Sequence, residues 1–178
     1  MTHSDLIRLC HARAKRRGWW YNRRNMGECI ALIHSEIVEA NKGWRTRLKD
    51  HHLPQYWNWE VELADVYIRV ADLLGWLGQT EKPPKFLTPA FPKIYCWNDY
   101  TQMLHEFSSE ALEGFRKNNL RKVTENLWKL LLTISYISGD GGEYSFPLIK
   151  AINAKLDYND QRADHKLENR MKAGGKKF

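Results

Sequence analysis

The chain has 178 residues, 43% of them hydrophobic, and a formal net charge of +7, enough to bury a real core as one domain or as two small, closely packed halves. No run reaches the roughly 18 apolar residues that span a bilayer, and the N-terminus lacks the apolar centre of a signal peptide, so a soluble cytoplasmic protein is expected. Cys10, Cys29 and Cys96 are widely spaced with no CxxC pair, which argues against a zinc site or a disulfide framework and leaves reduced, mostly buried thiols.

Periodicity places a first amphipathic helix over about 4–17, with Leu6, Ile7, Leu9 and Cys10 inward, ending at Gly18. The aromatic turn Gly18-Trp19-Trp20-Tyr21-Asn22 follows. A second helix runs over about 25–42, and a connection carrying His51, His52 and Pro54 leads to a third over about 57–77. Pro83, Pro84, Pro89 and Pro92 mark a non-helical linker. Helices are expected again over about 97–117 and 120–138, then the loop Gly139-Asp140-Gly141-Gly142 and a last helix over about 145–159. No useful β-alternation occurs, so the chain is expected to be all-α.

Two acidic pairs stand out: Glu36-Ile-Val-Glu39 and, after 22 intervening residues, Glu62-Leu-Ala-Asp65. A spacing of three puts both carboxylates of a pair on one helical face, so two such helices side by side can aim four oxygen donors at one point. Mg²⁺ or Mn²⁺ would relieve the mutual repulsion and could carry phosphate oxygens on its remaining positions. With 12 Glu and 9 Asp in the chain, chance alone supplies about one ExxE, so the context matters more than either motif. The third helix is apolar on most sides, and Glu62, Asp65, Arg69 and Asp72 form its one polar stripe. That stripe faces a ligand site, or it is solvated, with Asp65 and Asp72 bracketing Arg69; the helix by itself allows both.

The pattern then restarts. Ser35-Glu36-Ile-Val-Glu39 resembles Ser109-Glu110-Ala-Leu-Glu113, which suggests a degenerate internal duplication. Placing Glu125 opposite Glu62 puts Trp128 where Asp65 stands, and indole cannot ligate Mg²⁺. The second copy is therefore expected to lack a full metal site.

With the acidic pairs, the helical pattern and the aromatic-basic turn together, the chain resembles the MazG-like all-α nucleoside triphosphate pyrophosphohydrolases, the superfamily that includes dimeric dUTPases and dCTP pyrophosphatases. The match covers residues 18–28, 31–40 and 62–73, with a second patch over 152–162 and the ending Gly174-Gly175-Lys176-Lys177-Phe178. The resemblance implies a helical bundle divided into a catalytic repeat (1–80), a proline-containing linker (81–96), a degenerate repeat with a C-terminal helix (97–162) and a basic tail (163–178). It further implies hydrolysis of (d)NTPs between the α- and β-phosphates, with Glu36, Glu39, Glu62 and Asp65 holding Mg²⁺ (Mn²⁺ as substitute) and Glu39 or Glu36 taking the proton of the attacking water. Arg24, Arg69, Lys155 and Arg162 are its candidates for phosphate contacts, Asn25 and Asn159 for neutral hydrogen bonds, and Trp20 and Trp44 for stacking on the base. A homo-oligomer, dimer or tetramer, is expected, with neither membrane nor nucleic acid as partner. His34, beside Glu36, is expected near the site or in the core rather than as a zinc ligand.

A second reading starts from charge. Lys15, Arg16, Arg17, Arg23 and Arg24, with Lys172, Lys176 and Lys177 in the tail, suit an anionic partner. On that reading the chain is a basic helical module that binds nucleic acid or protein and keeps an idle metal site.

Overall fold

The computed structural model describes residues 1–81, 83, 96–139 and 141–170. Most of the proline-containing linker (82 and 84–95) and the end of the basic tail (171–178) lie outside the described residues. The rest is all-helical: α1 (His3–Arg16), α2 (Met26–Thr46), α3 (Asn58–Trp76), α4 (Trp97–Arg116), α5 (Leu120–Gly139) and α6 (Leu148–Gln161), then a 3₁₀ turn (Ala163–His165) and the short α7 (Leu167–Arg170). None of the described helices is long and apolar enough to cross a membrane.

Local chemistry sets where these helices begin. Thr2 and Asp5 form a reciprocal capping box at α1, satisfying two backbone donors that would otherwise be orphaned. Asn25 caps α2 by accepting from Gly27 N at 2.7 Å, and Glu60 Oε2 reaches back to Trp57 N at the start of α3, 2.7 Å away.

The helix bounds depart from expectation at two places. α2 does not stop at Lys42; it continues through Gly43 to Thr46 and ends at Arg47, whose φ of 52° is left-handed. Gly43 is there for contact: a Cβ on it would lie 2.7 Å from Trp59 N and closer still to Asn58 Oδ1. α6 begins at Leu148 rather than near 145, because Pro147 occupies its N-cap and Phe146 turns into the core.

α3 is the axis of the molecule, packed on α1, α2, α5 and α6. Fourteen of its 19 residues are buried, so only a narrow stripe is left for polar side chains. α2 and α3 form one hairpin and α4 and α5 another, joined through the α2–α4 and α3–α5 contacts. Ile7, Ile33, Ile37, Tyr67, Leu104 and Leu127 belong to a single core that runs through both hairpins. Trp44 stacks on Trp97 with ring centroids 4.5 Å apart and meets Trp59 and Tyr144 edge-on, closing the end of the α2–α3 hairpin against α4.

Candidate metal centre and its cavity

Glu36 of α2 and Glu62 and Asp65 of α3 each bring a carboxylate oxygen to within 4.8 Å of the others, the one such group of three among the described residues. The i, i+3 spacing on α3 and the antiparallel packing of α2 against it produce this convergence. Of the four expected ligands, three meet here. Glu39, one turn beyond Glu36, is exposed and lines the solvent side of the adjoining cavity.

The cluster sits largely out of water; the Glu62 and Asp65 side chains are 10% and 13% exposed. Burial, reinforced by the neighbouring Asp65 carboxylate, pushes the Glu36 carboxyl up to about 7. Burial does the same to Glu62, up to about 8, although Lys155 pulls against it. Two cations offset the crowding. Arg69 Nη2 donates to Glu36 Oε1 at 2.7 Å, and Lys155 Nζ stands 3.3 Å from Asp65 and 4.0 Å from Glu62. Asn58 Nδ2 donates to Glu62 Oε1 at 3.2 Å and to Asp50 Oδ2 at 3.3 Å, which ties the turn before α3 to the cluster. The solvated-stripe reading of α3 is overturned. Arg69 pairs across helices with Glu36, and Asp72 is buried and bound elsewhere.

Beside the carboxylates lies a cavity of about 300 Å³, within the range of small-ligand sites. Glu36, Glu39 and Asp65 mark one end, and Arg17, Arg69 and Arg162 supply cations to its walls. The Nε of Arg69 and the Oδ1 of Asn159, which also lines the cavity, are both buried without a hydrogen-bond partner. The far end is apolar, built from Cys29, Leu32, Ile68, Leu73 and the rings of Trp19 and Trp20.

Trp20 is held in place there. Its Nε1 donates to Asp72 Oδ1 at 2.8 Å, and its ring stacks on Trp76 at 5.2 Å with the planes 5° apart. His11 Nδ1 donates to the same Asp72 oxygen at 2.7 Å. Burial raises the Asp72 carboxyl, against the pull of these two hydrogen bonds.

Four of the eight expected substrate residues, Arg24, Asn25, Trp44 and Lys155, do not line the cavity. Asn25 caps α2. Arg24 donates to Trp19 O at 2.6 Å and stacks over the Trp19 ring. Trp44 belongs to the aromatic cluster near α4. Trp20, Arg69, Asn159 and Arg162 do line the cavity, and Lys155 reaches the carboxylates. In the segment expected to be a degenerate repeat, Glu110 pairs with Lys122, Glu113 with Arg116 and Lys117, and Glu125 with Arg121, while Trp128 is a core residue. His34 is neither in the core nor at the cluster. It is exposed on α2 with its Nδ1 3.3 Å from that of His105 on α4. Of the thiols, Cys10 and Cys29 are buried and Cys96 is exposed.

Sequence reasoning missed Arg17, which reads as one more surface charge, and the pairing of His11 with Asp72. A signal existed for both members of that pair. His11 interrupts the apolar stripe of Ile7 and Ala14, and Asp72 lies seven residues from Asp65 on one face.

No protein family, curated protein or solved structure matches the chain. The donor chemistry is therefore the test of fit for a metal. All the candidate ligands are carboxylate oxygens, with neither thiolate nor imidazole among them, a set suited to a hard cation such as Mg²⁺ or Mn²⁺ rather than Zn²⁺. Burial disfavours the charged forms of Glu36 and Glu62, and a bound cation would favour them.

Proposed function

We propose that this chain is a divalent-metal-dependent (deoxy)nucleoside triphosphate pyrophosphohydrolase of the MazG-like all-α kind, giving a nucleoside monophosphate and pyrophosphate. The observation that carries this reading is one cavity that meets the carboxylate cluster through Glu36 and Asp65, with Glu39 beside them, and has arginines and an aromatic, apolar lobe in the rest of its lining. That combination suits a nucleotide bound to a metal.

Glu36, Glu62 and Asp65 would hold the cation, and Glu39 lines the adjoining cavity one turn beyond Glu36. When bound, Mg²⁺ or Mn²⁺ supplies charge neutralisation for phosphate oxygens and a lowered pKa for a coordinated water. Glu39, the solvent-side carboxylate, accepts the proton of the water whose oxygen attacks the α-phosphorus. The bond between that phosphorus and the oxygen bridging to the β-phosphate breaks, and pyrophosphate leaves. Arg17, Arg69 and Arg162 bind the phosphate oxygens, each while paired with a carboxylate of its own, Asp160, Glu36 and Asp164 respectively. Trp20 packs against the base in the apolar lobe. Assembly into a dimer or tetramer belongs to the same proposal; the exposed Leu112, Leu120 and Tyr136 on the α4–α5 hairpin support it.

The test is pyrophosphate release from a panel of dNTPs and NTPs with and without Mg²⁺, beside the Glu39→Gln and Asp65→Asn variants. Metal-dependent release by the wild type, reduced at least a hundredfold in both variants, is expected. A folded wild-type protein that releases no pyrophosphate from any nucleotide overturns the reading.

A further inference from the structure

We propose that Asp72 selects the base: the cavity takes nucleotides with the amino group of cytosine C4 or adenine C6 ahead of their carbonyl counterparts, uracil and hypoxanthine. The inference rests on the nucleotide reading above and adds to it a substrate class.

The geometry starts from two matched offsets. Asp72 follows Asp65 by seven residues on α3, and Cys29 precedes Glu36 by seven on the antiparallel α2. Seven residues of helix advance about 10 Å. The wall between Asp72 and Cys29 therefore lies two turns from the carboxylate cluster, and both residues line the same cavity. A nucleotide with its phosphates at the cluster would carry its base to this end.

The apolar end holds one carboxylate. Asp72 is only 7% exposed. Its Oδ1 takes both N–H donors, from His11 and from Trp20. Its Oδ2 takes no hydrogen bond from the described residues, although the side chain borders the cavity. That oxygen is open to the cavity and free to accept from a ligand donor. The amino groups at cytosine C4 and adenine C6 are such donors, whereas uracil and hypoxanthine place at that position a carbonyl oxygen, which a carboxylate repels, and hold their N–H one ring atom away. The rest of the lobe, with Leu73, Ile68 and the Trp20 ring, offers shape and stacking and reads no hydrogen-bond pattern. Polar discrimination thus falls to Asp72.

Two substrate pairs exchange that amino group for a carbonyl, and with it turn the adjacent ring nitrogen from acceptor to N–H donor: dCTP against dUTP, and dATP against dITP. Binding of their analogues with an imido link between the α- and β-phosphates would be measured by calorimetry, and hydrolysis of the natural forms would be measured in Mg²⁺. The wild type should favour the amino member of each pair about tenfold or more in both measurements. Asp72→Asn keeps a carbonyl oxygen for His11 and Trp20 and sets an amide donor in place of Oδ2, so it should narrow or reverse both ratios. Wild-type ratios near one overturn the proposal without any variant. An equal loss for both members of a pair in Asp72→Asn also overturns it and leaves Asp72 as a residue that positions Trp20. If the folded wild type neither binds nor hydrolyses any of the four, the nucleotide reading itself fails and the proposal falls with it.

Discussion

At the scale of single residues, Glu62 is where the energetics of folding and the proposed metal chemistry meet. Its carboxyl is raised by burial from 4.5 to about 8. Between those values the folded state holds a proton that the unfolded chain has released. The stabilisation is whole below pH 4.5 and is lost as pH rises through 8. Glu62→Gln preserves the shape and removes the charge. In metal-free solution the variant should match the wild type at pH 5 and exceed it at pH 9 by on the order of 1–3 kcal/mol, read by urea denaturation. Mg²⁺ should raise the Tm of the wild type at pH 8 and leave that of Glu62→Gln nearly unmoved. A variant less stable than the wild type at pH 9 without metal would mean that the ion pair with Lys155 outweighs desolvation, contrary to the argument.

At the scale of helices, the cluster depends on how closely α2 and α3 approach, and Gly43 sets that distance. The backbone nitrogen of Trp59 would lie 2.7 Å from a Cβ at this position, and a backbone atom at the start of a packed helix cannot swing aside as a side chain can. Gly43→Ala should therefore destabilise the protein by about 1–3 kcal/mol in chemical denaturation, despite the better helix propensity of alanine. It should also weaken Mg²⁺ binding, because Asn58, pressed by the new methyl, is a donor to Glu62. Stability unchanged or improved would show that the two helices part at no cost.

The same contact explains what could be read in the sequence. Helix number and order, and the pairing of carboxylates at i, i+3, are local and were legible from periodicity. The end of α2 was not, because a glycine that reads as a stop signal is used here for close packing. Nor were the partners of the acidic residues. Lys155 comes from α6, and the choice of Glu36 over Asp65 or Asp72 by Arg69 is decided by how the helices cross. Trp44 shows the limit of likeness as a guide: its place in the chain suggested a stacking platform, and packing put it in the aromatic cluster with Trp97.

Across the whole molecule, the arrangement of charge bears on the two readings that net charge left open. The N-terminal arginines are largely committed to α6. Arg13 donates to Asp157 at 2.6 Å and Asp160 at 3.0 Å, Arg16 donates to Asp160 at 2.8 Å, and Arg17 Nε lies 3.2 Å from Asp160 Oδ1. Positive charge that sequence would assign to an extended anionic partner is thus turned inward as a clasp between α1 and α6. The clasp matters to the cavity, since Asn159 and Arg162 flank Asp160 on α6 and just beyond its end. Asp160→Ala would leave Arg17, only 12% exposed, without its carboxylate and would free the end of α6. A loss of about 2–4 kcal/mol in denaturation is expected. Nucleotide affinity should fall at least fivefold, because two wall residues lose their fixed position even as the local positive charge increases. The opposite result, tighter nucleotide binding together with new oligonucleotide binding that weakens steeply with salt, would mean that the arginines act as a free electrostatic surface. The case for a basic binding module would then be the stronger one.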